Sequence, residues 1–372
     1  MCLKARECIE KLYPTSEEDT AEKAKIELGI DEVIKLNSNE NPLGPSKKAL
    51  KAMQDALTQV HLYPDGKSSG LKQALSRYLN VNQENLFLGN GSDEIIRLLA
   101  AAFVDPGDHV HIFDPSLLEY HFAAYLMSAK LKKIPLNNMV CNLEEMLHSI
   151  TNKTKLIYIA NPNHPTGTIY TQKELERFMQ RVPSNIIVAC DEAYIDYCKR
   201  KECASGTSLL ETYPNLVVIK TFSKLHALAG LRVGYAISGK KIINALERVR
   251  EPFSVNSVAQ AGAIASLKDK EHIEKSKKCA WRGLNFYYRS LPDLELSYIP
   301  SQANFILIDL KGRDDKIITD ELFKEGILVK DGGSLGLKGY IRVSVGLMHQ
   351  NYAFISTLNK ILQNKFAIRR SL

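Results

Sequence analysis

The stretch Lys220-Thr221-Phe222-Ser223-Lys224-Leu225-His226-Ala227-Leu228-Ala229-Gly230-Leu231-Arg232-Val233-Gly234-Tyr235 decides how the chain is read. It follows the apolar, β-branched run 216–219, which places it where a buried strand ends and a loop opens. A lysine at such a place must shed its charge or meet an anion, because burying a lone ammonium costs far more than its packing returns. Thr221, Ser223 and Arg232 add two hydroxyls and a guanidinium, a set suited to a phosphate ester. Lys224 beside such a cradle suits a Schiff base with a phosphorylated aldehyde, pyridoxal phosphate. A solvated surface lysine fits the same residues, so the remaining groups that such a cofactor needs have to come from elsewhere in the chain.

Composition sets the outer limits. A chain of 372 residues with 45% hydrophobic content accommodates one large domain and a smaller one. No apolar run approaches the ~20 residues that span a bilayer, and the charged N-terminus has no signal-peptide core, so a cytoplasmic protein without membrane contact is expected. The cysteines Cys2, Cys8, Cys141, Cys190, Cys198, Cys203 and Cys279 show no CxxC spacing, which argues against a disulfide framework and against a metal site. The net charge of +7 is spread out apart from 199–201 and 369–370, so a nucleic-acid partner is not expected.

Residues 1–45 read as an N-terminal arm leading into the start of a small domain, with a short amphipathic helix over 16–28 that stops at Gly29. The loop Ser38-Asn39-Glu40-Asn41-Pro42-Leu43-Gly44-Pro45 is dense in turn formers and side-chain amides, a candidate substrate rim. Residues 46–260 alternate strand and helix. The run 86–88 enters Gly89-Asn90-Gly91-Ser92-Asp93-Glu94 and then the apolar helix 95–103, so free N–H groups at a helix start form a second anion cradle. The GxGxxG spacing and the Walker lysine are both missing, which takes support from nucleotide cofactors.

Short apolar runs at 110–113, 132–136, 156–160, 186–190 and 216–219, separated by helices, predict an α/β fold with a mostly parallel central sheet in a three-layer αβα arrangement. Ligands in such sheets collect at the carboxyl ends of the strands. Three successive strand ends carry Asn161-Pro162-Asn163-His164-Pro165, then Asp191-Glu192-Ala193-Tyr194, then the lysine stretch. Asp191, directly after five apolar residues, calls for a cation such as a protonated pyridine nitrogen. Asn161 and Tyr194 are candidate donors to that ring's phenolate oxygen. Each of these residues alone suits a cap, a turn or a core; together they suit one cofactor. A long helix over about 258–291 links this part, through 261–290, to a smaller C-terminal α/β domain at 291–372. There Arg342 sits inside the apolar strand 341–345, where a guanidinium needs an anion, and a substrate anion is the expected partner.

The motifs SNENPLGPS (38–46), YPDG (63–66), GNGSDE (89–94), NPNHPTGT (161–168), DEAY (191–194), TFSKLHALAGLRVGY (221–235), EPFSVNSVAQ (251–260), SQANF (301–305) and GYIRVSVG (339–346) resemble the fold-type I pyridoxal-phosphate enzymes of the class I/II aminotransferase group, and within it the histidinol-phosphate aminotransferase family. The resemblance covers nearly the whole chain. It implies a transaminase that moves an amino group between histidinol phosphate and 2-oxoglutarate, with Lys224, Asp191 and Tyr194 at the chemistry. It further implies Ser92, Asp93, Thr221, Ser223 and Arg232 on the cofactor phosphate, and Asn161 with Tyr194 on its ring oxygen. A homodimer with shared active sites is implied, with Tyr63 reaching over from the second subunit. Arg342, Lys330, Asn161, Tyr13 and Asn39 would meet the substrate, an amino donor or a 2-oxo acid or phosphorylated ketone acceptor. An aromatic amino acid aminotransferase and a decarboxylase of a phosphorylated amino acid are the nearest rivals, and a binding protein without turnover is a third. Leu117 stands where the family usually has a ring-stacking aromatic, with Tyr120 as a candidate substitute, and Lys330 stands where it usually has arginine. His164 and His226 also depart from the usual residues.

Overall fold

A computed structural model describes residues 4–10, 12 and 20–366. Thirteen strands are described: β1 Ile34–Lys35, β2 Leu86–Gly89, β3 His109–Asp114, β4 Lys130–Pro135, β5 Thr154–Ala160, β6 Ile187–Asp191, β7 Leu216–Thr221, β8 Gly234–Ser238, β9 Ser297–Ile299, β10 Phe305–Asp309, β11 Ile327–Leu328, β12 Lys330–Asp331 and β13 Tyr340–Ser344. Seven of them form one sheet in the order β2-β8-β7-β6-β5-β3-β4. Its strands run parallel from β7 through β4, while β8 is antiparallel to both β7 and β2. The mostly parallel sheet expected from the apolar runs is present.

Alternation along the strands sends side chains to two cores. On one face Leu156, Tyr158, Ala189 and Val217 pack with Ile95, Leu99 and Leu246 from the helices Gly91–Phe103 and Lys240–Val249. On the other, Ile157, Ile159, Val188 and Cys190 pack with Leu175, Phe178 and Met179 of the helix Gln172–Arg181. Strands covered on both faces must be apolar at every position, which is why β5 to β7 read as unbroken hydrophobic runs.

A second sheet, antiparallel in the order β12-β13-β10-β9, packs against the helices Asp315–Lys324, Lys270–Asp293 and Met348–Phe366. β1 pairs in parallel with β11, so Leu36 joins this C-terminal core although it lies hundreds of residues upstream.

Three expectations change. The helix over 258–291 is two helices, Ser257–Leu267 and Lys270–Asp293, because the Asp269 side chain caps the second by accepting from the His272 N–H at 3.3 Å. The helix expected over 16–28 is described from Ala21, with Thr20 as its N-cap, and residues 16–19 lie outside the described residues, as does Tyr13. Strand β7 runs on through Lys220 and Thr221 rather than ending at Ile219. Among the described residues no helix is long and apolar enough to cross a membrane, and no His/Cys/Asp/Glu cluster could hold a metal.

Candidate active site

A cavity of about 240 Å³ opens at the carboxyl ends of β5, β6 and β7, closed on one side by the start of the helix after β2. Its wall brings together Ser92, Asp93, Asp191, Tyr194, Thr221, Ser223, Lys224 and Arg232 from the sequence-derived set, together with Leu117, Tyr120 and His164.

Asp191 is the last residue of β6 and is 5% exposed. Its Oδ2 accepts from the Tyr120 hydroxyl at 2.7 Å and its Oδ1 from the Ala193 N–H at 3.0 Å. Burial pushes its carboxyl up to about 6, against the opposing pull of these two donors. A carboxylate in that condition favours a cation next to it.

Two lysines of the opening stretch separate cleanly. Lys220 lies 3.6 Å from both Glu192 and Asp196, outside the cavity wall, as an ion-paired buried group. Lys224 is in the wall, where its Nζ donates to the Ser38 carbonyl at 3.0 Å and lies 5.6 Å from the Tyr194 ring centre. A backbone carbonyl is a weak anchor for an amine, so Lys224 is held in place without a carboxylate partner to neutralise it.

At the other end the helix Gly91–Phe103 points its N-terminus at the cavity. Gly91 has φ +79, and a Cβ there would meet Arg232 Nη2 at 2.7 Å, so only glycine lets the guanidinium lie against this turn. Arg232 is fixed by Asp93 at 2.7 Å. Thr221 and Ser223, both buried, complete a cradle of hydroxyls, guanidinium and helix N–H groups that suits a phosphate.

Arg342, Lys330 and Asn39, expected at the substrate, are not in the cavity wall itself, but Arg342 and Asn39 contact His164 and Tyr194, which are. Arg342 is 5% exposed; it donates to the Asn37 carbonyl and to His164 Nε2. Lys330 is its direct partner across the β12–β13 pair, so both cations leave the sheet on the same face. Like charges directly opposite one another repel, an arrangement that suits an anion bound between them. Asn39 donates from Nδ2 to the Tyr194 hydroxyl at 3.1 Å and is itself held by Ser344.

Asn161 is not in the cavity wall. Its amide nitrogen donates to the Ala204 carbonyl at 2.8 Å and its oxygen accepts from the Tyr170 N–H at 3.1 Å. Tyr63 is also absent from the wall; it is 84% exposed and stacks on Phe253 at 4.8 Å. His226 packs on Phe222, and burial holds it down to about 4 as a neutral ring. Tyr120 holds Asp191 and stacks on Tyr158, while Leu117 supplies the apolar cover of the cavity. Sequence reasoning had Tyr120 only as a ring-stacking substitute and gave His164 no role. The signal for His164 was a titratable side chain between Asn163 and Pro165 at a strand end.

A buried carboxylate that favours a cation, an amine across the cavity and a phosphate cradle beyond it fit pyridoxal phosphate. The chain belongs to the class I and II aminotransferase family, whose model matches residues 31–354. Within that family it is similar to the histidinol-phosphate aminotransferase of Moorella thermoacetica, 42% identical over 360 residues that cover 96% of this chain and 93% of that protein. The histidinol-phosphate aminotransferase of Bacillus licheniformis is 38% identical over 361 residues, 97% of this chain and 100% of that protein. Among solved structures, histidinol-phosphate aminotransferase from Sinorhizobium meliloti in complex with pyridoxal-5'-phosphate matches with a TM-score of 0.90 and 25% identity, covering 98% of both chains. L-threonine-O-3-phosphate decarboxylase from Porphyromonas gingivalis, at 22% identity and a TM-score of 0.80 over 89% of this chain and 100% of that one, shares the fold alone.

Proposed function

We propose that the chain is a pyridoxal-phosphate-dependent transaminase that converts L-histidinol phosphate and 2-oxoglutarate to imidazole acetol phosphate and L-glutamate, a step of histidine biosynthesis. The observation that carries the substrate is the pair Lys330 and Arg342, opposite one another on β12 and β13, whose charges together with that of Lys224 act on His164 in the cavity wall. A phosphate monoester brings close to two negative charges where an amino acid brings one, and two facing cations match it.

When bound, pyridoxal phosphate supplies an aldehyde for amines and an electron-poor ring that accepts the electron pair left at Cα. The residues do the rest. Asp191, held by Tyr120 and the Ala193 N–H, keeps the pyridine nitrogen protonated. Ser92, Thr221, Ser223 and Arg232 bind the cofactor phosphate, with Asp93 orienting Arg232. Lys224, steadied by the Ser38 carbonyl, would take the proton from the substrate Cα and return it two atoms away, at the cofactor's former aldehyde carbon. Tyr194, oriented by Asn39, donates to the ring oxygen, and Leu117 excludes water from the ring face. Arg342 and Lys330 hold the substrate phosphate. The enzyme acts as a homodimer, with Tyr63 of the partner subunit completing the phosphate cradle, in a cytoplasmic setting.

The test is to supply the purified, cofactor-loaded protein with L-histidinol phosphate and 2-oxoglutarate and to follow glutamate and imidazole acetol phosphate. A larger kcat/KM for phenylalanine or tyrosine, or release of carbon dioxide from a phosphorylated amino acid, overturns the assignment.

A further inference from the structure

The described cysteines fall into two kinds. Cys141 and Cys190 are buried in the core of the large sheet, and burial pushes their thiols up. Cys198 and Cys203 are only half-buried, and they bound the exposed basic turn Lys199-Arg200-Lys201-Glu202. That turn closes on one carbonyl. The Cys203 N–H donates to the Arg200 oxygen at 3.2 Å, and the Cys198 Sγ lies 3.8 Å from the same oxygen. The Cys203 thiol in turn donates to the Cys198 sulfur.

Both ends of the turn are fixed. Gln302 Oε1 accepts from the Lys199 N–H at 3.1 Å and the Arg200 N–H at 3.2 Å, and it lies 3.6 Å from the Cys198 Sγ. At the other end Cys203 forms an antiparallel bridge with Thr171, and its Sγ accepts from the Asn161 amide at 3.7 Å. Two sulfurs held together across so short a turn have little closure entropy left to lose when they join.

The pair is also asymmetric. The hydrogen bond from Cys203, with the backbone and guanidinium of Arg200, holds the Cys198 thiol below its ordinary value although burial opposes them. The same bond and burial push Cys203 far up, so it keeps its proton. Cys279, half-buried on the helix Lys270–Asp293, is pushed up by burial. A thiolate beside a protonated thiol matches an attacking and a resolving cysteine.

We propose that Cys198 and Cys203 form a reversible thiol-oxidation site for hydrogen peroxide, Cys198 attacking and Cys203 resolving. The Cys198 thiolate breaks the O–O bond, keeps one oxygen as a sulfenic acid and releases hydroxide. The Cys203 sulfur then bonds to the Cys198 sulfur and displaces that oxygen, which leaves as water with the Cys203 proton. The released hydroxide takes up the proton that Cys198 gave to solvent. Two thiols thus lose two electrons and one peroxide becomes two waters. An exposed bridge of this kind is the labile sort that external dithiols reduce. Neither sulfur lines the cavity, so the inference stands apart from the transaminase reading.

The test treats the reduced, cofactor-loaded protein with equimolar hydrogen peroxide and digests it with trypsin. Cleavage after Lys199, Arg200 and Lys201 separates the two cysteines, so a bridge ties the peptide ending at Lys199 to the one beginning at Glu202. That linked pair, split by dithiothreitol, is expected in wild type and absent from Cys198→Ser and Cys203→Ser. In Cys203→Ser the sulfenic acid has no resolving thiol, and a dimedone label is expected on Cys198. Before oxidation, Cys198 is expected to take iodoacetamide about tenfold faster than Cys279. Free thiols at both positions in peroxide-treated wild type, a bridge from Cys198 to any other cysteine, or alkylation at Cys198 no faster than at Cys279 overturns the proposal. The wild-type peptide map decides the outcome even where a serine variant fails to fold.

Discussion

The Tyr120 hydroxyl donates to Asp191 Oδ2 across 2.7 Å, although the two residues stand 71 apart in the chain. One belongs to the helix Leu118–Leu126 and the other to β6, so the bond ties a covering helix to the carboxylate at the sheet edge. Tyr120→Phe removes this donor from a charged acceptor, a change of about 1.5–3 kcal/mol. The loss is felt only while Asp191 is ionised. Urea unfolding of the cofactor-free variant is therefore expected to fall short of wild type at pH 8 and to approach it at pH 5. Equal losses at both values would show that Tyr120 acts only through packing.

Asp191 itself imposes a pH dependence. Its carboxyl, at about 6 in the fold against 3.8 for a free aspartate, keeps its proton while the unfolded chain gives it up. The folded state is thus favoured below pH 3.8, and that advantage disappears as pH rises through about 6. The difference is roughly 3 kcal/mol, at about 1.4 kcal/mol per pH unit. Comparing urea midpoints of cofactor-free wild type and Asp191→Asn from pH 4 to 8 isolates it, with wild type expected to lose ground to the variant over that range. Parallel curves would remove the basis for a cation partner at this carboxylate.

Lys220 and Lys224 should fail in opposite ways. Lys224→Ala is expected to abolish turnover and the visible cofactor band while leaving stability within about 1 kcal/mol. Lys220→Met strands the buried Glu192 carboxylate, 1% exposed at its side chain, and is expected to cost about 3–5 kcal/mol. Circular dichroism melts and absorption spectra of the two variants distinguish them.

The anion clamp is tested through the substrate's phosphate. Lys330→Ala is expected to lower the preference for histidinol phosphate over histidinol about tenfold, and Lys330→Arg to keep it or sharpen it, because a guanidinium binds phosphate in two places. An unchanged ratio of kcat/KM in Lys330→Ala would place the phosphate elsewhere.

Much of this was legible in the residues, and the failures have physical causes. Apolar runs marked β5 to β7 because strands covered on both faces tolerate little else, whereas the edge strand β4 is mostly exposed and lysine-rich. β8 was hidden, since Gly234–Ser238 follows a glycine-rich loop and reads as its continuation. The split at Asp269 was hidden too, because the polar residues around it are ordinary helix formers. Asn161 was misplaced for a reason of pleat. Ala160 pairs with Asp191 in register and both face the cavity, so the next residue turns to the opposite side. A strand end can be found in a sequence, but which of two neighbours looks inward depends on the register with the adjoining strand. The chemistry of Lys224, Asp191 and the phosphate cradle was easier to find, because each is a polar group that burial would penalise without a ligand.

The short strand β1 has a consequence for biosynthesis. Ile34 pairs with Ile327, the Asn39 N–H donates to Ser344 at 2.8 Å, and the carbonyl that steadies Lys224 is that of Ser38 between them. On the ribosome these residues emerge well before their partners, Ser344 following Asn39 by 305 residues. The seven-stranded sheet can be complete as soon as Ser238 has been translated. The segment that anchors the Lys224 amine is itself pinned only once β13 has been made, so a nascent chain arrested before β13 carries the finished large sheet and an unfinished site.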